Sequence, residues 1–234
     1  KSALRTIIEA ADIKPDEVVL EIGPGTGALT LELAKKAKKV IAVEKDAKMV
    51  DILRELLEGQ NVKNVEIVQA DIRNLELEIR NFKIVANLPY YITSPVIRLF
   101  LENTEARPLL MVLMVQKEVG QRICSKPPSM SLLAVSVQFY AEAKIIDYIS
   151  RKSFWPQPKV DSAIIRIAPQ INADRKLINA DIFFKVARAG FSHPRKQLIN
   201  NLSTGLSLPR PQVKTWLQMN KIPPTTRAET LTID

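Results

Sequence analysis

The stretch Asn87-Leu88-Pro89-Tyr90 has the residue types and spacing to hold an aromatic amine. The amide oxygen of Asn87 and a carbonyl stiffened by Pro89 can accept both hydrogens of an exocyclic amine, and Tyr90 can stack on the base that carries it. The residues before it, Ile84-Val85-Ala86, are apolar and mostly β-branched and read as a short buried strand. Proline cannot donate to a sheet ladder, so the strand must stop there. In open α/β sheets the carboxyl ends of strands are where ligands bind. Taken alone, the four residues are equally compatible with a strand-terminating turn and an ordinary surface tyrosine.

A second group of residues suits a nucleotide-like ligand. Gly23-Pro24-Gly25-Thr26-Gly27 follows the strand Val18–Ile22 and precedes a helix expected over Ala28–Ala37. Glycines let backbone approach a ligand closely, and strand, glycine turn, helix opens a nucleotide-binding βαβ unit. Gly23 to Ala28 also satisfies G-x-G-x-x-A, and Glu44 stands where a dinucleotide-binding acid would, so an NAD-dependent oxidoreductase is a real competitor. Two features weigh against it. Glu21 precedes the turn, where a carboxylate would serve a pyrophosphate poorly but could meet a cationic amino-acid moiety. Asp71 and Asn87 then end the third and fourth strands. A cationic ammonium, a ribose diol and an adenine amine without phosphate would use that layout, as in S-adenosylmethionine.

These residues need a sheet to position them. Strands are expected at Val18–Ile22, Lys39–Val43, Val65–Val68, up to Asn87, Leu109–Val115, Ala143–Ile149 and Val160–Ile167. Helical spacing recurs between the early ones, at Leu4–Ala11, Asp46–Leu57, Thr93–Leu101 and Ser131–Ala141. Alternating strands and helices predict an α/β, doubly wound, mostly parallel seven-stranded sheet. After about residue 172 the strand signal stops, and short helices are expected at Ile182–Gly190, Pro194–Leu202 and Pro211–Met219. The expected domains are therefore 1–172 and a small helical domain, 173–234.

Charge divides at the same place. Residues 1–174 hold 24 Lys and Arg against 22 Asp and Glu, whereas 175–234 hold 10 against 3. A basic excess gathered in one segment points to a polyanion, most simply nucleic acid, over the alternative of a solvated basic surface. The 234 residues are 46% hydrophobic, with no apolar run long enough to span a membrane and no evident signal peptide. A single cysteine, Cys124, fits a reducing cytoplasm and reads as a small buried hydrophobe. One cysteine and one histidine, His193, make no structural zinc site and no nucleophile pair near Asn87.

Glu21-Ile-Gly23-Pro-Gly25-Thr-Gly27, Glu44, Asp71, Asn87-Leu88-Pro89-Tyr90 and Phe154-Trp-Pro-Gln-Pro-Lys-Val-Asp-Ser-Ala163 occur in the order of the rRNA adenine N6,N6-dimethyltransferases. The chain resembles that family over nearly its whole length, and Phe191-Ser-His-Pro-Arg195-Lys196 with Asn200 is similar to its kasugamycin-resistance branch. The resemblance implies a Rossmann-like methyltransferase sheet. It implies dimethylation of two adjacent adenosines in the 3′-terminal hairpin of small-subunit rRNA, with S-adenosylmethionine as cofactor and no metal. Implied cofactor-binding residues are Glu21, Gly23, Gly25, Gly27, Glu44, Lys45, Asp71, Ile72 and Asn87. Asn87 and the Leu88 or Pro89 carbonyl would bind the target amine, and Tyr90 and Phe154 would sandwich the flipped base. Arg188, Arg195, Lys196 and Arg210 would meet RNA. The expected partner is small-subunit rRNA in an immature subunit, and the expected state a cytoplasmic monomer. Macrolide-resistance methylases of large-subunit rRNA share the catalytic motifs, and a ribosome-assembly factor without turnover is the non-enzymatic alternative. Met130-Ser131 departs from the family's usual Tyr-Gly, and Pro194 from a basic residue. The resemblance also leads one to expect a Gln-Asn-Phe-Leu-type segment before Lys1 and a further helix after Asp234.

Overall fold

A computed structural model describes residues 3–102, 106–170 and 178–233. The chain forms two compact units, one of residues 1–121 with 141–169, the other of residues 122–140 with 170–234.

The first unit is built on seven strands: β1 (Val18–Ile22), β2 (Lys39–Glu44), β3 (Val65–Gln69), β4 (Phe82–Asn87), β5 (Leu110–Gln116), β6 (Ala141–Ile149) and β7 (Ser162–Pro169). Their order across the sheet is β3-β2-β1-β4-β5-β7-β6. The first five are parallel, and β7 runs antiparallel to both β5 and β6. Parallel strands covered on both faces read as continuous apolar runs, which is why Leu110 to Val115 is buried residue after residue.

Helices α1 (Ala3–Ala11), α2 (Ala28–Ala34), α3 (Ala47–Gly59), α4 (Thr93–Glu102) and α5 (Lys117–Ile123) complete the early chain. The α2 helix stops at Ala34, short of the expected Ala37, because the Lys36 N–H turns back to the Leu33 carbonyl at 3.0 Å. Asp46, expected as helical, is instead the N-cap of α3, its carboxylate accepting from the Lys48 N–H at 2.8 Å. The α5 helix has no amphipathic signature of its own and was not expected. Gly120 lets it lie against β7, where a Cβ would stand 3.0 Å from that of Ala163. Lys83 on β4 is buried, pairs with Glu17 at 2.7 Å and donates to the Ala11 and Asp12 carbonyls at 3.1 and 2.8 Å. A cation at that end of α1 satisfies carbonyls that the helix leaves open.

The sheet's order reverses at β1, which lies between β2 and β4. The β1–β4 ladder runs only from Val18↔Phe82 to Leu20↔Ile84. Beyond it, Glu21 and Ile22 stay with β2, while Val85, Ala86 and Asn87 stay with β5. The two central strands thus lose their shared ladder at their carboxyl ends, the crevice position that a topological switch point creates.

The second unit holds α6 (Leu132–Gln138), α7 (Ala180–Gly190), α8 (Leu198–Leu206) and α9 (Arg210–Met219). Residues 122–140 lie in this unit and not with 1–121, which differs from the expected division at 172. The reason is apolar packing. Phe139 stacks on Phe183 with centroids 4.3 Å apart, and Met130, Ala134 and Val135 cluster with Ala187 and Phe191. Net charge carries no trace of this. The helix expected over Pro194–Leu202 begins only at Leu198. Asn201 Nδ2 donates to the Gly190 and His193 carbonyls, at 2.6 and 3.0 Å, and so pins the preceding residues as a turn. The α7 and α8 helices approach closely at Gly205, where a Cβ would come within 2.6 Å of the Ala189 Cβ.

Candidate active site

The glycine turn after β1 has all three glycines at positive φ: Gly23 at 68°, Gly25 at 55° and Gly27 at 83°. Left-handed backbone is cheap only for glycine. Each glycine meets something different. A Cβ on Gly27 would strike Leu56 and Leu53 at 2.6 and 2.7 Å, one on Gly23 would touch Pro89 Cδ at 3.4 Å, and one on Gly25 would meet nothing within 4 Å. Gly27 is therefore fixed by packing, Gly25 faces open space, and Gly23 lets the turn abut the Asn87-Leu88-Pro89-Tyr90 loop. Two sequence motifs more than sixty residues apart are neighbours across the β1–β4 crevice.

Three carboxylates surround this junction. Glu44 Oε1 accepts the Lys45 and Asp46 N–H groups at 2.7 and 2.9 Å, and Oε2 lies 3.4 Å from the Gly25 N–H. One oxygen is thus locked by its own strand end while the other faces the turn with a single long contact. Asp71 caps the turn Ile72–Asn74. It accepts from the Arg73 N–H at 3.1 Å and from the Arg73 guanidinium at 2.9 and 2.6 Å, and Lys45 Nζ stands 3.2 Å from Oδ2. The Arg73 guanidinium, then its N–H, then Lys45 hold the Asp71 carboxyl well below the usual carboxylate range. Ile72 is buried beneath it. Glu21 is 1% exposed, and its Oε2 has no hydrogen-bond partner. Burial pushes its pKa up to about 8; the Thr30 hydroxyl lowers it, and the Glu44 charge raises it further.

Asn87 is exposed at the last position of β4, opposite Met114. The Leu88 side chain is buried and its N–H donates to the Met114 carbonyl at 3.2 Å, so the loop is clamped to β5. The Pro89 carbonyl accepts from the Ile92 N–H at 3.1 Å and closes the turn Tyr90–Ile92. Leu88 offers the less encumbered carbonyl beside the Asn87 amide. The Tyr90 hydroxyl lies 3.3 Å from Ser162 Oγ, the buried first residue of β7. That contact joins the loop to the proline-rich segment of residues 154–163. In the same segment Phe154 is half-buried against the core cluster that holds Ile149 and Ile164, a core contact that leaves its other face for a site.

The structure brings together Gly23 with Pro89, Gly25 with Glu44, Lys45 with Asp71, and Tyr90 with Ser162. Sequence reading missed Arg73, Thr30 and Ser162. Ser162 stood inside a quoted motif, but Arg73 gave no signal, since only the turn conformation folds its guanidinium back on Asp71. Arg188, Arg195, Lys196 and Arg210 all lie exposed in the second unit. No group of His, Cys, Asp and Glu among the described residues could hold a metal ion. No helix among them is long and apolar enough to cross a membrane.

The acceptor set can be matched to a ligand class. Glu21 brings a buried carboxyl with an unpartnered oxygen, Glu44 a carboxylate with one weakly engaged oxygen at the glycine turn, and Asp71 a carboxylate held by Arg73 and Lys45. A ligand offering an ammonium, a diol and an amine satisfies them; a pyrophosphate would meet like charge. The residues present therefore fit S-adenosylmethionine and disfavour NAD.

Comparison with known proteins agrees with that match. The chain matches the family "Ribosomal RNA adenine dimethylase" over residues 1–234. It is 44% identical to a ribosomal RNA small subunit methyltransferase A of Dehalococcoides mccartyi (strain CBDB1), covering all of this chain and 81% of the relative. The protein of the same name from Geobacillus thermodenitrificans is 40% identical, covering 97% of this chain and 82% of the relative. Among solved structures, a dimethyladenosine transferase from Plasmodium falciparum superimposes with TM-score 0.78 at 31% identity, covering 97% of this chain and 82% of that one. The 23S rRNA methyltransferase ErmE does so with TM-score 0.78 at 28% identity, covering 98% and 92%.

Proposed function

Since this chain belongs to the ribosomal RNA adenine dimethylase family and is an S-adenosylmethionine-dependent enzyme, we propose that its substrate is small-subunit rRNA, dimethylated at the N6 amines of two adjacent adenosines in the 3′-terminal hairpin. The small-subunit assignment is supported by the names of its relatives. The observation that supports the catalytic reading is the seating of Gly23 against Pro89, which sets the glycine turn beside the Asn87 loop.

When bound, S-adenosylmethionine supplies an electrophilic methyl on a cationic sulfur. Glu44 would take the ribose hydroxyls through Oε2, Asp71 the adenine amine, and Glu21 the cationic methionine end, with Lys45 and Ile72 lining the adenine side. The target amine is a weak nucleophile because its lone pair is delocalised into the ring. The Asn87 amide oxygen and the Leu88 or Pro89 carbonyl accept its two hydrogens, which favours a pyramidal nitrogen whose lone pair faces the crevice. Fixed orientation then supplies much of the acceleration. Flipping the base costs a few kcal/mol, and stacking on Tyr90 and Phe154 offsets part of that. Arg188, Arg195, Lys196 and Arg210 would contact rRNA phosphates.

The test is methyl incorporation into small ribosomal subunits that lack the mark, with large subunits in parallel. Two N6,N6-dimethyladenosines per small subunit are expected. Incorporation confined to large-subunit rRNA would contradict the substrate assignment.

A further inference from the structure

Trp155 is 97% exposed, the most exposed large apolar side chain among the described residues. Its neighbour Phe154 packs partly against the core, whereas the indole stands almost wholly in solvent. The mount beneath it is nonetheless firm. The Ser153 N–H donates to the Ser150 carbonyl at 2.9 Å and the Arg151 N–H to Asp161 Oδ1 at 3.0 Å. The Arg151 guanidinium reaches the Lys159 carbonyl at 3.2 Å, bridging the two ends of the loop. Pro156 and Pro158 fix φ between them. A loop held this way spares the backbone part of the ordering cost of binding.

The surroundings are cationic. Arg151, Lys152 and Lys159 are all exposed. Arg151 and Lys159 also line a shallow hollow with Lys117, against two acids, Glu118 and Asp161, the second of which accepts from the Arg151 N–H. An exposed aromatic ring on a loop that also carries exposed cations is the composition of single-strand nucleic-acid sites, where bases stack and phosphates are neutralised.

We propose that Trp155 is a stacking platform for an RNA nucleobase flanking the target adenosines, with Arg151, Lys152 and Lys159 meeting the adjoining phosphates. The identity of that RNA rests on the function proposed above; the platform itself does not require turnover.

The chain has two tryptophans, so in a Trp216→Phe background the emission reports Trp155 alone. The probe is a hairpin RNA with two adjacent adenosines and single-stranded flanks, against the same RNA made abasic at the flanking nucleotides. Quenching by the first and its loss with the second are expected. Trp155→Ala should raise KM for RNA about 5- to 150-fold, the range that stacking of one base implies, with kcat falling less than twofold and Trp155→Tyr recovering most of the loss. Unaltered KM and RNA affinity in Trp155→Ala overturn the proposal. So does a blue shift seen with whole small subunits but no quenching by naked RNA, which would mark a protein contact. A parent chain that methylates no RNA yet shows the quenching defeats the functional reading alone; methyl transfer by Trp155→Ala at the parent KM defeats the platform alone.

Discussion

Glu21 shows how one buried side chain ties stability to ligand. Its folded-state pKa is raised to about 8, chiefly by burial, so between its unfolded value and pH 8 the folded chain holds a proton that the unfolded chain has released. Stability must therefore fall as pH rises through that window and level off above it. Glu21→Gln keeps the shape without the titration. It should flatten this slope and raise stability at pH 8 by roughly 1–3 kcal/mol, measured by urea unfolding from pH 5 to 9. A parent slope that survives in Glu21→Gln would place the titrating group elsewhere. A cationic ligand beside the same carboxyl favours its charged form, so cofactor affinity should strengthen from pH 6 to 8. At this scale the sequence was readable wherever chemistry is local: Asn87 before Leu-Pro, or an acid at a strand end. It was silent on the Arg73 fork across Asp71 and on the orphaned oxygen of Glu21, because both depend on what folding brings near.

At the scale of elements, strands announced themselves more clearly than helix contacts. Runs such as Leu110–Val115 are buried on both faces and need only their own composition to be recognised. The α5 helix and the allegiance of residues 122–140 depend on distant partners, Ala163 for Gly120 and Phe183 for Phe139, which no local pattern encodes. The α7–α8 contact offers a test of such packing. Gly205→Ala would set a methyl 2.6 Å from the Ala189 Cβ and 2.9 Å from its Cα. Overpacking of this kind costs about 1–3 kcal/mol. The unfolding midpoint should drop accordingly while cofactor binding, built in the other unit, is retained; Ala189→Gly in the same chain should restore part of the loss. An unchanged midpoint would mean that the two helices part without cost.

For the whole molecule, the proposed function divides labour between a crevice that would perform transfer and basic surfaces that would hold RNA. Reversing Arg195 and Lys196 to Glu should weaken rRNA binding and flatten its salt dependence, each lost phosphate contact changing the log–log slope by roughly 0.7 to 0.9, with cofactor affinity preserved. RNA binding that keeps its affinity and slope would reduce the tail to a soluble surface. The converse variant is Asn87→Ala. In the proposed site it would remove one acceptor for the target amine and leave Tyr90 and Phe154 to stack the base, so RNA affinity should change little, with some loss of cofactor affinity because Asn87 would border both ligands. The lost hydrogen bond matters most in the transition state, and removing one preorganised polar group typically costs ~10²–10³ in rate. The decisive measurement is single-turnover methyl transfer by Asn87→Ala at saturating cofactor, with RNA binding followed in parallel. A fall of that size with RNA capture retained is expected; transfer of both methyls at the parent rate would contradict the claim that the loop after β4 is the catalytic site.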